Sequence, residues 1–143
     1  MGVSISEQSI AEVEAAFLPS EKHGADIRFH GAVRDSEDER PISGIEYSHY
    51  EGMALVELEK IAREMADSEI AHLVAIHHKI GFVSNGEASI VIRVQTPHSA
   101  DAFRITAEYL RRIKASVPIW KKPIFADTDT SAAGGGGGVA ATS

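Results

Sequence analysis

The chain has 143 residues, 43% hydrophobic and 24% charged, with a formal net charge of −7 at pH 7 and no cysteine. That length fits one domain with a sizeable core. Disulfides, thiolate metal centres and a cysteine nucleophile are excluded. The acidic balance argues against a nucleic-acid surface, and no apolar run approaches the roughly 18 residues of a membrane span. The opening MGVSISEQ lacks the basic and apolar regions of a secretion signal, so a cytoplasmic protein is expected.

Val3–Ile5 reads as a short strand. A helix opening at Ser6 or Glu7 carries Ile10, Val13, Ala16 and Phe17 and stops before Pro19. Ala25–Val33 alternates Ile27, Phe29 and Gly31 with Arg28 and His30, a strand pattern, and the charged run Asp35–Arg40 reads as an exposed loop. Ile42–Tyr50 is a second strand with Ile45, Tyr47 and His49 on one side. Glu51–Asp67 is a helix with Leu55, Leu58, Ile61, Ala62 and Met65 as its core face. Glu57–Lys60, Glu59–Arg63 and Lys60–Glu64 are spaced to pair along its outer side. Ala71–Val83 and Ala88–Gln95 are strands joined at Asn85-Gly86, a dipeptide suited to a hairpin turn with positive φ at both positions.

The third helix follows Pro97, with Ser99 as N-cap and Asp101 complementing the helix dipole. Phe103, Thr106/Ala107, Leu110, Ile113 and Val117 recur at helical spacing as its apolar face, with Lys114 on the flank. Pro118 ends the helix, and the chain runs extended through Ile119 and Trp120, delivering Lys121 to the neighbourhood of Lys114. Trp120 reads as a core anchor. Residues 1–125 form the domain. Residues 126–143, which include the unbroken glycines Gly134–Gly138, read as a flexible tail. Helices interleaved with antiparallel strands make this an α+β chain; no phosphate-binding glycine loop is present.

Between Arg104 and Lys122 six basic residues face one acid, Glu108, on an otherwise acidic chain. Such an island suits a small anionic ligand, although a solvated arginine face with ordinary lysines has the same composition. Lysines held beside other cations lose their protons more readily and can serve as nucleophile, acid or base. His98, beside a helix N-terminus, is placed for an anion, and Arg34 can clamp a phosphate bidentately. Each is also an ordinary surface residue type. His77 and His78 project to opposite faces of a strand, which rules out one metal held by that pair.

Six segments in unbroken order resemble the large, catalytic subunit of molybdopterin synthase: Gly31–Arg34, Glu46–Ala54, Ile76–Gly81, Gly86–Ser89, Pro97–Phe103 and Lys114–Lys122. The resemblance implies an α/β hammerhead-type fold with antiparallel strands and about three helices. It further implies a homodimer carrying a small β-grasp sulfur carrier at each end, a heterotetramer in all. Sulfur from the carrier's C-terminal glycine thiocarboxylate would convert cyclic pyranopterin monophosphate to molybdopterin, with no resident metal or cofactor. Lys114 matches the family's most critical lysine and Lys121 its second. Arg34 and His98 match residues near the pterin phosphate or carrier terminus, and Ser99, Arg104 and Lys122 join them as substrate-binding candidates. Ser99 stands where the family usually has arginine, and Pro123 where it usually has glutamate. Two readings follow: an active sulfurtransferase, or a relative that docks the carrier with altered catalysis.

Overall fold

The computed structural model describes residues 2–50, 52–126 and 139–140. In chain order its elements are β1 (Gly2–Ser6), α1 (Ile10–Ala15), β2 (Ala25–Ala32), β3 (Ser36–Glu37), β4 (Arg40–His49) and α2 (Met53–Ser68). There follow β5 (Leu73–Lys79), β6 (Gly81–Ser84), β7 (Ala88–Thr96), α3 (Ser99–Ser116), β8 (Ile119–Phe125) and β9 (Val139–Ala140). This is the expected α+β class, with three helices and mostly antiparallel strands. Of the expected flexible tail 126–143, Val139–Ala140 form β9, paired with Trp120 and Lys121 of β8, while residues 127–138, with Gly134–Gly138, and 141–143 lie outside the described residues.

One sheet has the order β1-β5-β7-β2, with β1 parallel to β5 and the other pairs antiparallel. The second has the order β3-β4-β8-β9, with β6 also paired to β4. The predicted strand Ala71–Val83 divides between the two sheets. Gly81, at φ 89°, turns the chain where β5 leaves the first sheet and β6 enters the second. The turn after β6 takes positive φ only at Gly86 and joins strands that pair with different partners, so Asn85-Gly86 does not close a hairpin. The two-residue hairpin lies instead within the run expected to be a loop. β3 pairs with β4 around Asp38 and Glu39, at φ 52° and 64°.

Ser9, not Ser6 or Glu7, caps α1. Its hydroxyl accepts from the Glu12 amide at 3.1 Å, and its own amide donates to the Glu12 carboxylate at 2.9 Å, a reciprocal box that satisfies two orphan donors. Helix α2 buries Ala54, Leu58, Ile61, Ala62 and Met65, while Leu55 is half-buried. The three ion pairs expected along α2 do not form among the described residues; Glu64 instead meets Arg112 of α3 at 3.7 Å. Ile76, Ile92 and Val94 of the first sheet meet α2 and α3 in a core that also takes Tyr47 and Val83 from the second sheet. The opposite face of β5 and β7 is covered by α1 and the loop after it. There buried Arg93 donates to both Asp26 oxygens, at 3.1 and 2.7 Å, and to the Leu18 carbonyl at 2.9 Å.

Histidine burial follows the strand alternation. His77 donates from Nε2 to the Gln8 carbonyl at 2.9 Å and accepts at Nδ1 from the Ser4 hydroxyl at 2.7 Å, a fully satisfied neutral ring. His78 faces the other way, edge-on to Tyr47 with ring centroids 5.0 Å apart. Its Nδ1–H donates to the Lys79 carbonyl at 2.8 Å, leaving Nε2 as a buried lone pair without a partner. Burial and the nearby His77 and His49 rings oppose a charge there, while the Lys79 carbonyl favours it; the balance pulls the His78 pKa down to about 4.

Candidate active site

The α3–β8 joint carries the lysines singled out above. Ala102, Ile105, Thr106, Tyr109 and Ile113 form the buried face of α3, at i, i+3, i+4, i+7 and i+11, so the helix docks about one position away from the predicted stripe. Phe103, expected in the core, is 68% exposed. The helix closes where the Val117 amide donates to the Ile113 carbonyl at 3.0 Å. Pro118 follows, and Ile119 opens β8. Val117 and Ile119 are both buried, so the joint is anchored on either side of the proline.

Lys114 occupies the last turn of α3, exposed and without an ion pair among the described residues. A cation there is favoured by the helix dipole. Lys121 sits opposite Tyr47 in the β4–β8 register, on the inward side of the sheet by strand alternation. Its ammonium is 3.6 Å from a carboxylate oxygen of Glu37, with side chains 22% and 21% exposed. Tyr47 is buried; its hydroxyl is pushed above its ordinary pKa chiefly by burial, opposed by a hydrogen bond with Ser89 and helped by the Glu37 charge.

The basic island resolves into committed and uncommitted cations. Arg111 donates to both oxygens of Glu108, at 3.0 and 2.6 Å, and Arg112 donates to one of them at 2.7 Å. These guanidiniums, Arg111 first, pull the Glu108 carboxyl down to about 2. Arg104 is held by Glu69 at 2.6 Å and Asp101 at 3.1 Å, so its guanidinium is already committed. Lys122 alternates to the outer face, opposite Glu46. Trp120 shares that face at 43% exposure and is not a core anchor.

Arg34 is exposed and follows buried Val33, whose backbone is tied to Glu87 and Gly86 at 3.0 and 2.8 Å. It leads directly into the hairpin whose Glu37 meets Lys121. His98, not Ser99, is the N-cap of α3, and its side chain makes no capping bond. Ser99 is the first helical residue. His98 is 16 residues before Lys114 on this helix, about 24 Å along the axis at the standard rise. Within one chain Lys114 lies in the last turn of α3, seven residues before Lys121 on β8, Lys121 meets the hairpin that follows Arg34 through Glu37, and His98 and Ser99 lie at the other end of the helix. A groove of about 470 Å³ is lined by Gly2, Val3, Glu59, Ala62 and Arg63, none of them a candidate residue.

Glu37 is the residue that sequence reasoning missed at this site. Its only signal was membership of an acidic run, and its partner is far away in the chain.

A family model described as MoaE protein matches residues 3–116. The molybdopterin synthase catalytic subunit of Taeniopygia guttata is 36% identical over 121 residues, covering 83% of this chain and 77% of the relative. That of Emericella nidulans is 38% identical over 110 residues, covering 77% of this chain and 56% of the relative. A solved structure of molybdopterin synthase from Staphylococcus aureus superposes with a TM-score of 0.78 at 33% identity, covering 87% of this chain and 91% of the other. A MoaE protein from Burkholderia ambifaria gives 0.72 at 28% identity, with 92% and 94% covered.

Proposed function

The chain belongs to the MoaE protein family, and from that premise we propose that it is a catalytic subunit of molybdopterin synthase. In this reading it moves sulfur from the C-terminal thiocarboxylate of a small β-grasp carrier to cyclic pyranopterin monophosphate, forming the dithiolene of molybdopterin. The observation that carries it is the α3–β8 joint, where an uncommitted Lys114 ends the helix and Lys121 is held on the adjoining strand.

Sulfur attacks a side-chain carbon of the pterin as the carbon–oxygen bond at that carbon breaks, the oxygen leaving as water or phosphate. Hydrolysis of the resulting acyl–sulfur bond releases the carrier as a carboxylate, and a second thiocarboxylated carrier repeats the step to complete the dithiolene. Lys114 polarises the thiocarboxylate or moves a proton, and Lys121 steadies the negative charge that develops. Arg34, beside the same hairpin, clamps the substrate phosphate. His98 and Ser99 lie too far along α3 to join the lysines of their own chain, so they contribute across the boundary of a homodimer. Arg104 and Lys122 form the charged surroundings: one is already paired and the other faces outward. The reaction is assigned to the cytoplasm; no helix of the described residues is long and apolar enough to cross a membrane.

The test mixes purified protein with a thiocarboxylated β-grasp carrier and cyclic pyranopterin monophosphate in a single-turnover assay. Molybdopterin should form, and Lys114→Ala should abolish it. Carrier binding without product would instead favour the docking protein with altered catalysis.

A further inference from the structure

We propose that Glu37 is the positioning residue of Lys121, a carboxylate brought to the α3–β8 joint by the β3–β4 hairpin. The inference deepens the sulfurtransferase reading and rests on it for the role of Lys121.

Three observations carry the assignment. First, Glu37 is the carboxylate within ion-pair distance of Lys121 among the described residues, at 3.6 Å, and both side chains are largely covered. A pair with that little solvent around it is screened less than one on the open surface. Second, the hairpin is shaped to make the contact. Glu37 lies opposite Arg40 in its own ladder, whereas Lys121 lies opposite Tyr47, well along β4. A register shift between Ile42 and Gly44 marks an irregularity in β4 between these two points, the kind of feature that bends a strand and re-aims what it carries. Third, the reversal of the chain is made through two non-glycine residues in the left-handed region, Asp38 and Glu39, which costs on the order of 1 kcal/mol each. The surrounding structure holds them there, and Glu37 immediately precedes them.

An ammonium on an extended strand has several staggered rotamers open to it. A carboxylate on one side selects those that point into the inward face beside Tyr47. The same carboxylate holds the ammonium oriented before substrate arrives, which is what a group stabilising developing negative charge requires. Lys114 has no such partner among the described residues and stays free to move a proton. The two lysines thus differ in role because their neighbours differ.

The test compares wild type, Glu37→Gln and Glu37→Asp in two readouts. In the first, the protein alone is treated with a limiting amine-acylating reagent, and the labelling rate at each lysine is read by mass spectrometry. Removing the carboxylate should speed labelling at Lys121 by about threefold, the scale of a partly screened ion pair. Lys122, on the opposite face of the same strand, should label unchanged and serves as the internal control. In the second, single-turnover sulfur transfer should slow several-fold in Glu37→Gln with carrier affinity unchanged, and Glu37→Asp should recover part of the rate. Unchanged labelling at Lys121 in Glu37→Gln would overturn the pairing. Faster labelling with an unchanged transfer rate would overturn the positioning role. If wild type transferred no sulfur, the functional reading would fail by itself, and the labelling experiment would still decide the pairing.

Discussion

Acidification from about pH 7.5 to about pH 5 should destabilise the fold by about 2 kcal/mol through His78 alone. In the native state the ring is buried, donates from Nδ1 to the Lys79 carbonyl, and has an unpartnered lone pair at Nε2. Protonation would bury a charge and an orphan N–H together, and the native pKa falls to about 4 against an ordinary value of 6.5. Between those values the unfolded chain takes up a proton that the native chain refuses. Stability is therefore complete above the ordinary value and declines as pH falls through it, levelling off below the native value. His77, also depressed by burial, adds in the same direction. The depressed carboxylates Asp26, Glu12, Glu87 and Glu108 have ordinary values of 3.8 or 4.5 and lose their contributions chiefly below pH 4.5, so the histidines dominate the window. Urea unfolding followed by circular dichroism at the two pH values measures the difference. His78→Asn, which retains a donor for the Lys79 carbonyl but does not titrate, should remove most of it. An unchanged midpoint in wild type, or a full acid loss in His78→Asn, would refute the reasoning.

Asp26→Asn should cost about 2 kcal/mol in chemical denaturation, because it strips the charged partner from a nearly buried Arg93. The Asp26 contribution, present above its ordinary pKa, should disappear as pH falls through its depressed native value. Ile105→Ala, at a fully buried position on α3, should cost about 3 kcal/mol. Phe103→Ala on the exposed side should stay within about 0.5 kcal/mol, and equal losses at the two sites would reverse the helix face assigned above. Glu39→Gly should raise the melting temperature by relieving up to about 1 kcal/mol of left-handed strain at φ 64°; a lower melting temperature would argue against that conformation.

Much of the fold was legible because the punctuation of the chain is local. Pro118 ends α3 where the sequence says it must, and the apolar periodicity of Leu58, Ile61, Ala62 and Met65 placed the buried face of α2. The misreadings share a cause: tertiary contacts choose between locally equivalent options. Phe103 is as apolar as Ile105, and only docking against the sheets decides which is buried. The sheet switch at Gly81 is invisible in a run of strand-forming residues. Asp38 and Glu39 adopt the turn conformation that Asn85-Gly86 advertised, because β3 pairs back onto β4 and β6 does not pair with β7. The helix stop between the candidate lysines Lys114 and Lys121 was readable from Pro118. His98 stands at the N-terminus of α3, as its place after Pro97 indicated, and the 18-residue helix separates it from Lys114 of the same chain. The Glu37 contact joins segments too distant in sequence for any local pattern to register.

If this chain moves sulfur, Lys114 is the group that transfer cannot do without. The most direct measurement follows radiolabelled sulfur in a single turnover from a thiocarboxylated carrier. Label should leave the carrier for the pterin only when wild-type protein and cyclic pyranopterin monophosphate are both present, and should stay on the carrier with Lys114→Ala. Label that remains on the carrier with wild type, or reaches the pterin equally well with Lys114→Ala, would contradict it.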